Sequence, residues 1–422
     1  MSVFTETHPE RSGLAVGSVV LVVAIMAVNA GNYGLNVLLA NTLEPSLFGD
    51  ASLIVTVLLL TGVLAATLQL STSVAILRSP NEQGEHLTAM RLLTNRVGLA
   101  AGLALAAVSP FATSVLQVES RWALFVMAAG VPPHLQLAVE RGRLQGGLQL
   151  GRLALTFVAE GAARIVATLV VLAVAPDITM LAIALNVGFL GGYLVARPRL
   201  GMRCWLRLSA PVNMPRTGSI GIVVVAVTLI TNLDVVAAKA VFEPAVAGSF
   251  AALALGGRVV FFASWTLQQA LLPLVVAEHA TIGAALRRRM FLLGNAAVCA
   301  LLVVIGWRWA DVWVGLAFGD AYEAIVPLIG PHALGTGAIS VAAAFAMLSS
   351  SDGNDTAGRA LLVGSGVVTA VSLFFGASIS LFVAARVVAL IVLAFVVVVA
   401  DRGRFAQRTV TGCRSIVRGV IS

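Results

Sequence analysis

Lysine is almost absent from this sequence: of 27 basic residues, 26 are arginine and one is Lys239. Charge as a whole is scarce, at 11% of the chain, and no hydrophilic block long enough for a soluble domain interrupts the 422 residues. With a mean hydropathy of +0.98, that scarcity excludes an ordinary soluble globule. Cysteine is rare too. Cys204, Cys299 and Cys413 are scattered, without a CxxC pair or a ligand spacing, so neither a disulfide framework nor a zinc site is expected. No cofactor and no metal is expected either. Neither a Ser–His–Asp set nor a pair of carboxylates at catalytic spacing is present, and the connections on the arginine-poor side are short. These absences argue against a membrane-embedded glycosyltransferase or ligase, and the chain is read as a non-enzyme.

Apolar stretches of about 20 residues or more recur along the whole length. The sequence predicts an all-α polytopic membrane protein with about twelve spans: 13–40, 48–77, 87–108, 120–140, 152–175, 178–196, 215–241, 247–276, 289–307, 323–349, 359–376 and 379–400. The run from Leu14 to about Ala40 is too long for a signal-peptide core and reads as the first span. Alternate connections, with the two ends of the chain, hold 21 of the 27 cations, from Arg11 to Arg418, while the opposite connections hold Arg121 and Arg308. The positive-inside rule then places both termini in the cytoplasm of a cell that carries the protein in its plasma or inner membrane. Arginines confined to short loops are a topology signal, so nucleic acid is not an expected partner; the lipid bilayer is.

The second half echoes the first. At an offset of 199, Glu44, Pro45 and Gly49 fall on Glu243, Pro244 and Gly248, and Thr67, Leu68 and Gln69 fall on Thr266, Leu267 and Gln268. The longest connection, rich in arginine and proline, lies near the middle. The expected organisation is an N-lobe at 1–196, a cytoplasmic connection at 197–214, a C-lobe at 215–401 and a basic tail at 402–422. Six spans per lobe make the repeat parallel, with a pseudo-two-fold relation around a central cavity.

Polar and charged groups inside spans mark candidate sites, because they are costly there. Asn29, Asn32, Tyr33 and Asn36 share one face of the first span at i, i+3, i+4, i+7. Thr231 and Asn232 occupy matching places in the seventh span, and Lys239 continues that face. Two readings stand for these faces: hydrogen bonds between helices, or the walls of a water-filled path. Glu160 and Arg164 are spaced to pair within the fifth span. Asp234 and Arg258 lie at similar depth below the EPAVAG turn, about 14–15 Å at ~1.5 Å per residue, close enough in depth to pair. Either acid is a candidate for ion coupling or for a structural ion pair. Arg386 has no acid near it in sequence, leaving three readings: snorkelling to the surface, an aqueous cavity, or an anionic ligand. Four cations inside spans (Arg164, Lys239, Arg258, Arg386) against two acids (Glu160, Asp234) leave a surplus of two positive charges. Arginine in such surplus suits a phosphate or diphosphate headgroup. Gln69 and Gln268 read as helix–helix glue. Pro132, Pro133 and His134, with Pro327, Pro331 and His332, mark interruptions in corresponding spans, the histidines reading as structural.

Four segments carry a family resemblance: NVLLANTLEPSLFG; RGRLQGGLQLGRLALTFVAEGAARIVATLVVLAV; NLDVVAAKAVFEPAVAGSFAALALGGRVVFF; and FGDAYEAIVPLIG. In their order they resemble the polysaccharide and oligosaccharide-lipid flippases of the multidrug/oligosaccharidyl-lipid/polysaccharide (MOP) exporter superfamily. The resemblance implies alternating access and a polyprenyl-diphosphate-linked glycan as cargo, moved from the cytoplasmic to the outer leaflet for cell-surface polysaccharide biosynthesis. It implies glycosyltransferases and a polymerase of the same pathway as partners. It also implies cationic cavity residues, carried here to Arg164, Lys239, Arg258 and Arg386. The chain lacks the two further C-terminal spans of the lipid II flippase branch. The nearest rival is a cation-coupled antiporter of small solutes or drugs. A major-facilitator carrier is disfavoured because RSPNEQGEHLTAMR lacks that family's GxxxDRxGRR pattern.

Overall fold

The computed structural model describes residues 8–78, 83–174, 176–196, 219–276 and 282–421. Among these residues the chain is helical, without a strand. Two compact units divide it, Met1–Thr217 and Gly218–Ser422. The expected connection at 197–214 lies outside the described residues.

The first unit holds α1 (His8–Thr42), α2 (Pro45–Arg78), α3 (Gln83–Val115), α4 (Arg121–Gly146), α5 (Leu150–Val174) and α6 (Ile178–Ala196). The second holds α7 (Ser219–Val241), α8 (Pro244–Val276), α9 (Ile282–Arg308), α10 (Ala310–Ala317), α11 (Val326–Ser351), α12 (Thr356–Phe374) and α13 (Ile379–Ile421). All but the eight-residue α10 are long and apolar enough to cross a membrane, which gives twelve candidate spans among the described residues, six in each unit. In lipid a lone strand or loop would leave backbone amides without partners, so helices are the form such sequences take. Leucine, valine and phenylalanine side chains cover the outer faces, as they would against acyl chains; Phe374 is 83% exposed and Val174 is 81% exposed.

In the first unit α4 is the hub, packing on α2, α3 and α6, while α5 joins α6 to α1. In the second unit α11 is the hub, packing on α8, α9 and α13, while α12 joins α13 to α7. Taken in chain order, the same five pairings recur in both units. The turns recur as well. Leu43 N donates to Leu39 O and Phe48 N to Glu44 O, both at 2.9 Å; Phe242 N donates to Ala238 O and Ala247 N to Glu243 O, also at 2.9 Å. Each pair of residues is displaced by 199, and in each turn a proline takes the first helical position, where its missing N–H is no loss.

Close approach at the hubs depends on small residues. A β-carbon on Gly146 would come within 2.7 Å of Ser73 O, and one on Gly142 would strike Gln69 O and Thr72. The α2–α4 contact therefore needs glycine at both places. The core of the second unit joins Val223, Ala226, Val227 and Ile230 of α7 to Ile339, Ala342, Ala343 and Ala346 of α11 and to Leu390, Leu393 and Val397 of α13.

Three expectations change. Pro132 and Pro133 do not interrupt α4, and Pro331 does not interrupt α11; both helices run through, and Pro327 sits in the first turn of α11. A proline removes one hydrogen bond of the ladder; Pro132, Pro133 and Pro331, all half-buried, sit inside helices that continue on both sides of them. The third span is longer than 87–108, because α3 continues past Pro110 to Val115. Between α9 and α11, where a loop was expected, α10 and a 3₁₀ turn at Asp320–Ile325 intervene, with Trp307, Trp309 and Trp313 exposed around them.

Candidate functional site

Each unit carries its own buried charge cluster, gathered around one acid. In the first unit the acid is Glu160 on α5. Arg164, one turn further along, pairs with it, as the i, i+4 spacing predicts. Arg141 of α4 pairs with its other oxygen at 2.7 Å. Arg141 also donates to the hydroxyl and the carbonyl of Thr156, at 3.1 and 3.0 Å, and its guanidinium sits 3.8 Å from the centre of the Phe157 ring. Arg164 reaches Asn32 Oδ1 of α1 at 3.4 Å. His134 of α4 stacks on Phe189 of α6 at 4.2 Å, and its Nδ1 lies 3.3 Å from Thr61 Oγ1 of α2. Four helices, α1, α2, α4 and α5, thus supply polar groups to one cluster with two guanidiniums and one carboxylate, and α6 supplies the Phe189 ring.

Arg141 was legible in sequence only as a loop cation. The signal that places it inside is the length of α4, which runs five residues past it to Gly146. Its neighbour Glu140 points into a second network: Arg91 of α3 pairs with it at 2.6 Å and Arg143 at 2.8 Å. Arg143 also donates to Ala196 O, at the end of α6.

In the second unit the acid is Asp234 on α7. Arg386 of α13 pairs with it at 3.5 Å and donates to Ile230 O at 2.5 Å. Arg258 of α8 lines the same small pocket, with Thr231, His332 and Thr336. Among the sequence readings of Arg386, snorkelling is overturned: the residue is 2% exposed and turned inward. The acid that pairs with it lies 152 residues away in the chain. His332 meets Phe250 edge-on at 5.9 Å, and a β-carbon at Gly257 would come within 2.6 Å of its imidazole, so glycine there leaves the ring its place.

The other sequence candidates divide. Lys239 is buried at 1% exposure but is not part of the Asp234 pocket lining. Asn32, Tyr33 and Asn36 are half-buried, and Asn29 is exposed. Asn36 donates to Asn32 O at 2.8 Å, and Asn232, buried, donates to Thr228 O at 2.8 Å, so both spend a donor on their own helix. Thr231 reaches the Asp234 pocket; Asn232 does not line it. Gln69 donates to Gln145 at 2.9 Å and Gln268 to Ser340 O at 3.1 Å. Each glutamine ties the second helix of its unit to the hub, which is the glue expected of it.

The two-unit helical fold defined by these elements is that of solved transporters of the MOP superfamily. An inward-facing multidrug resistance MATE family transporter of that superfamily matches with a TM-score of 0.71 and 12% identity, over 90% of this chain and 95% of its own. The lipid II flippase MurJ, in an inward closed conformation, matches with a TM-score of 0.69 and 11% identity, over 91% and 87%. A MOP superfamily transporter from Pyrococcus furiosus, described by a reversed polarity of its binding pocket, matches at 0.51 and 13%, over 93% and 94%. Identities this low establish a shared fold. No family model and no curated protein sequence matches the chain.

Proposed function

We propose that this protein is a membrane transporter that flips a polyprenyl-diphosphate-linked oligosaccharide from the cytoplasmic to the outer leaflet by alternating access. The observation that carries the reading is the arginine excess buried in each unit: Arg141 and Arg164 around Glu160, and Arg258 and Arg386 around Asp234. Buried positive charge in a membrane span favours an anionic cargo. Guanidinium forks match phosphate oxygens better than ammonium does, and the near absence of lysine fits that preference. A cation-coupled drug exporter on the same fold would want an acid open to its ion; here both candidate acids are engaged by arginine. Among proteins of like fold, one is a lipid II flippase, so the fold accommodates cargo of this class. Arg164, Lys239, Arg258 and Arg386 are the cations assigned to attract the headgroup.

The test is translocation in proteoliposomes containing a labelled polyprenyl-diphosphate oligosaccharide, read by its accessibility to an added lectin. Arg164→Gln is expected to slow translocation about tenfold or more, the effect of losing one charge-assisted contact worth ~1.5–3 kcal/mol. Arg164→Lys, which keeps the charge, retains part of the rate. Unchanged rates in Arg164→Gln and Arg258→Gln together contradict the assignment of these cations.

A further inference from the structure

One face of α9 is apolar and open along its length. Leu286, Met290, Leu293, Leu301, Val304 and Trp307 recur on it at helical spacing, each more than half exposed. On a membrane-spanning helix such a strip faces acyl chains. Exposed arginines stand near its two ends, Arg289 and Arg308. They are 19 residues apart, ~28 Å at ~1.5 Å per residue, close to the ~30 Å of a bilayer's hydrocarbon core. Arg308, with Trp307 and Trp309 beside it, therefore marks the level at which α9 leaves the acyl chains.

The short α10 begins just beyond. Trp309 at its start departs from helical geometry, with φ −120° and ψ 30°, so the chain bends there. The Trp307 ring lies against Gly330 of α11, where a β-carbon would come within 2.4 Å of it, so α9 and α11 end at about one level. α10 packs on both helices and on the 3₁₀ turn, which lays it across their ends. Residues 309–316 show three sides. Ala310 and Val314 are buried against the unit. Trp309, Val312, Trp313 and Leu316, at i, i+3, i+4, i+7, form an exposed apolar side, with Leu316 at 77%. Asp311 and Gly315, one turn apart, form an exposed third side that bears the charge.

We propose that α10 is an interfacial anchor. It lies in the membrane plane at the headgroup level of the leaflet opposite Arg289, with its apolar side in lipid and its Asp311 side in water. In the orientation that the positive-inside rule gives, this is the outer leaflet. Continuity selects lipid as the occupant. The apolar side of α10 follows the α9 strip directly, through Trp307 and Trp309, so the surface that meets acyl chains on α9 runs on to it. Tryptophan suits this level, because its ring is apolar and its N–H reaches polar headgroups. A helix of this kind seats its apolar side ~5–10 Å into the boundary between headgroups and chains. The division into protein, lipid and water sides is what a helix at that boundary requires. The inference is independent of the cargo.

The test places one nitroxide at a time on the full-length protein in vesicles of phosphatidylcholine and phosphatidylglycerol. Cys204, Cys299 and Cys413 are first replaced by alanine. The label then goes on Leu316→Cys or on Asp311→Cys, with Val312→Cys as a second reporter of the apolar side should Leu316→Cys fail to fold. Collisions with oxygen, which concentrates in lipid, are compared with collisions with a water-soluble nickel chelate. The label at 316 or 312 is expected to favour oxygen, at a depth of ~5–10 Å, and the label at 311 to favour nickel. A label at 316 or 312 as open to nickel as the one at 311 puts α10 in water and overturns the proposal. One shielded from both reagents shows a protein surface covering the helix, and one at the depth of the bilayer centre shows a buried segment; either result overturns it too.

Discussion

At the scale of the residue, the two clusters differ in how far the sequence announces them. Glu160 and Arg164 stand one helical turn apart, and their pairing follows from helix geometry alone. Arg141 joins them from α4, and Arg386 joins Asp234 across 152 residues, so neither partnership has a local signature. Cost has one: an arginine inside an apolar run must find an acid, a ligand or water, and that reasoning marked Arg386 without naming its partner. The Glu160 cluster makes a prediction about stability. Removing one member of a buried ion pair leaves the other charge stranded, and typically costs 3–5 kcal/mol. Glu160→Gln strands two guanidiniums, so its unfolding free energy in detergent is expected to fall by at least ~3 kcal/mol. Glu160→Gln combined with Arg164→Gln removes one of the stranded charges and recovers part of the loss. A double variant as unstable as the sum of its two single variants would mean that the groups do not act on one another.

At the scale of the element, hydropathy alone located twelve helices, because apolar length is a signal every residue of a span contributes to. Their ends were harder. Pro132, Pro133 and Pro331 read as interruptions, yet each lies inside a continuous helix, and the third span, ended at 108 in the sequence reading, runs on past Pro110. The short α10 was missed because eight residues fall below any span-length window. The α2–α4 contact rests on glycine. Gly142→Leu forces α2 away from α4, since its side chain meets Gln69 O and Thr72. Overpacking of this kind costs ~1–3 kcal/mol or more, and a clear drop in melting temperature is expected. Gly151→Leu is the control: a β-carbon there meets nothing within 4 Å, and its melting temperature stays close to that of the unmodified protein. Equal effects at the two positions would remove the packing account of the α2–α4 contact.

At the scale of the whole molecule, the internal repeat was legible from few identities. What made them persuasive was order: a Glu-Pro turn, a glycine four residues later and a Thr-Leu-Gln at one offset. The structure returns the same backbone bonds at both turns and the same pairings within each unit. The orientation in the membrane rests on the arginines. A cysteine placed at Ala245 is expected to react with an impermeant maleimide from outside the cell. One placed at Asn354 reacts only after the cytoplasmic side is opened. Labelling of both from one face contradicts the twelve-span map. The cargo is the part least written in local sequence, because it depends on which buried charges meet a ligand. The direct measurement is cargo choice in proteoliposomes that offer, side by side, a polyprenyl-diphosphate oligosaccharide and a lipophilic cationic dye. Transbilayer movement of the glycan lipid, undiminished by the dye and lost on replacing Arg164 and Arg258 by glutamine, is the predicted result. Movement of the dye, with the glycan lipid left in its original leaflet, contradicts it.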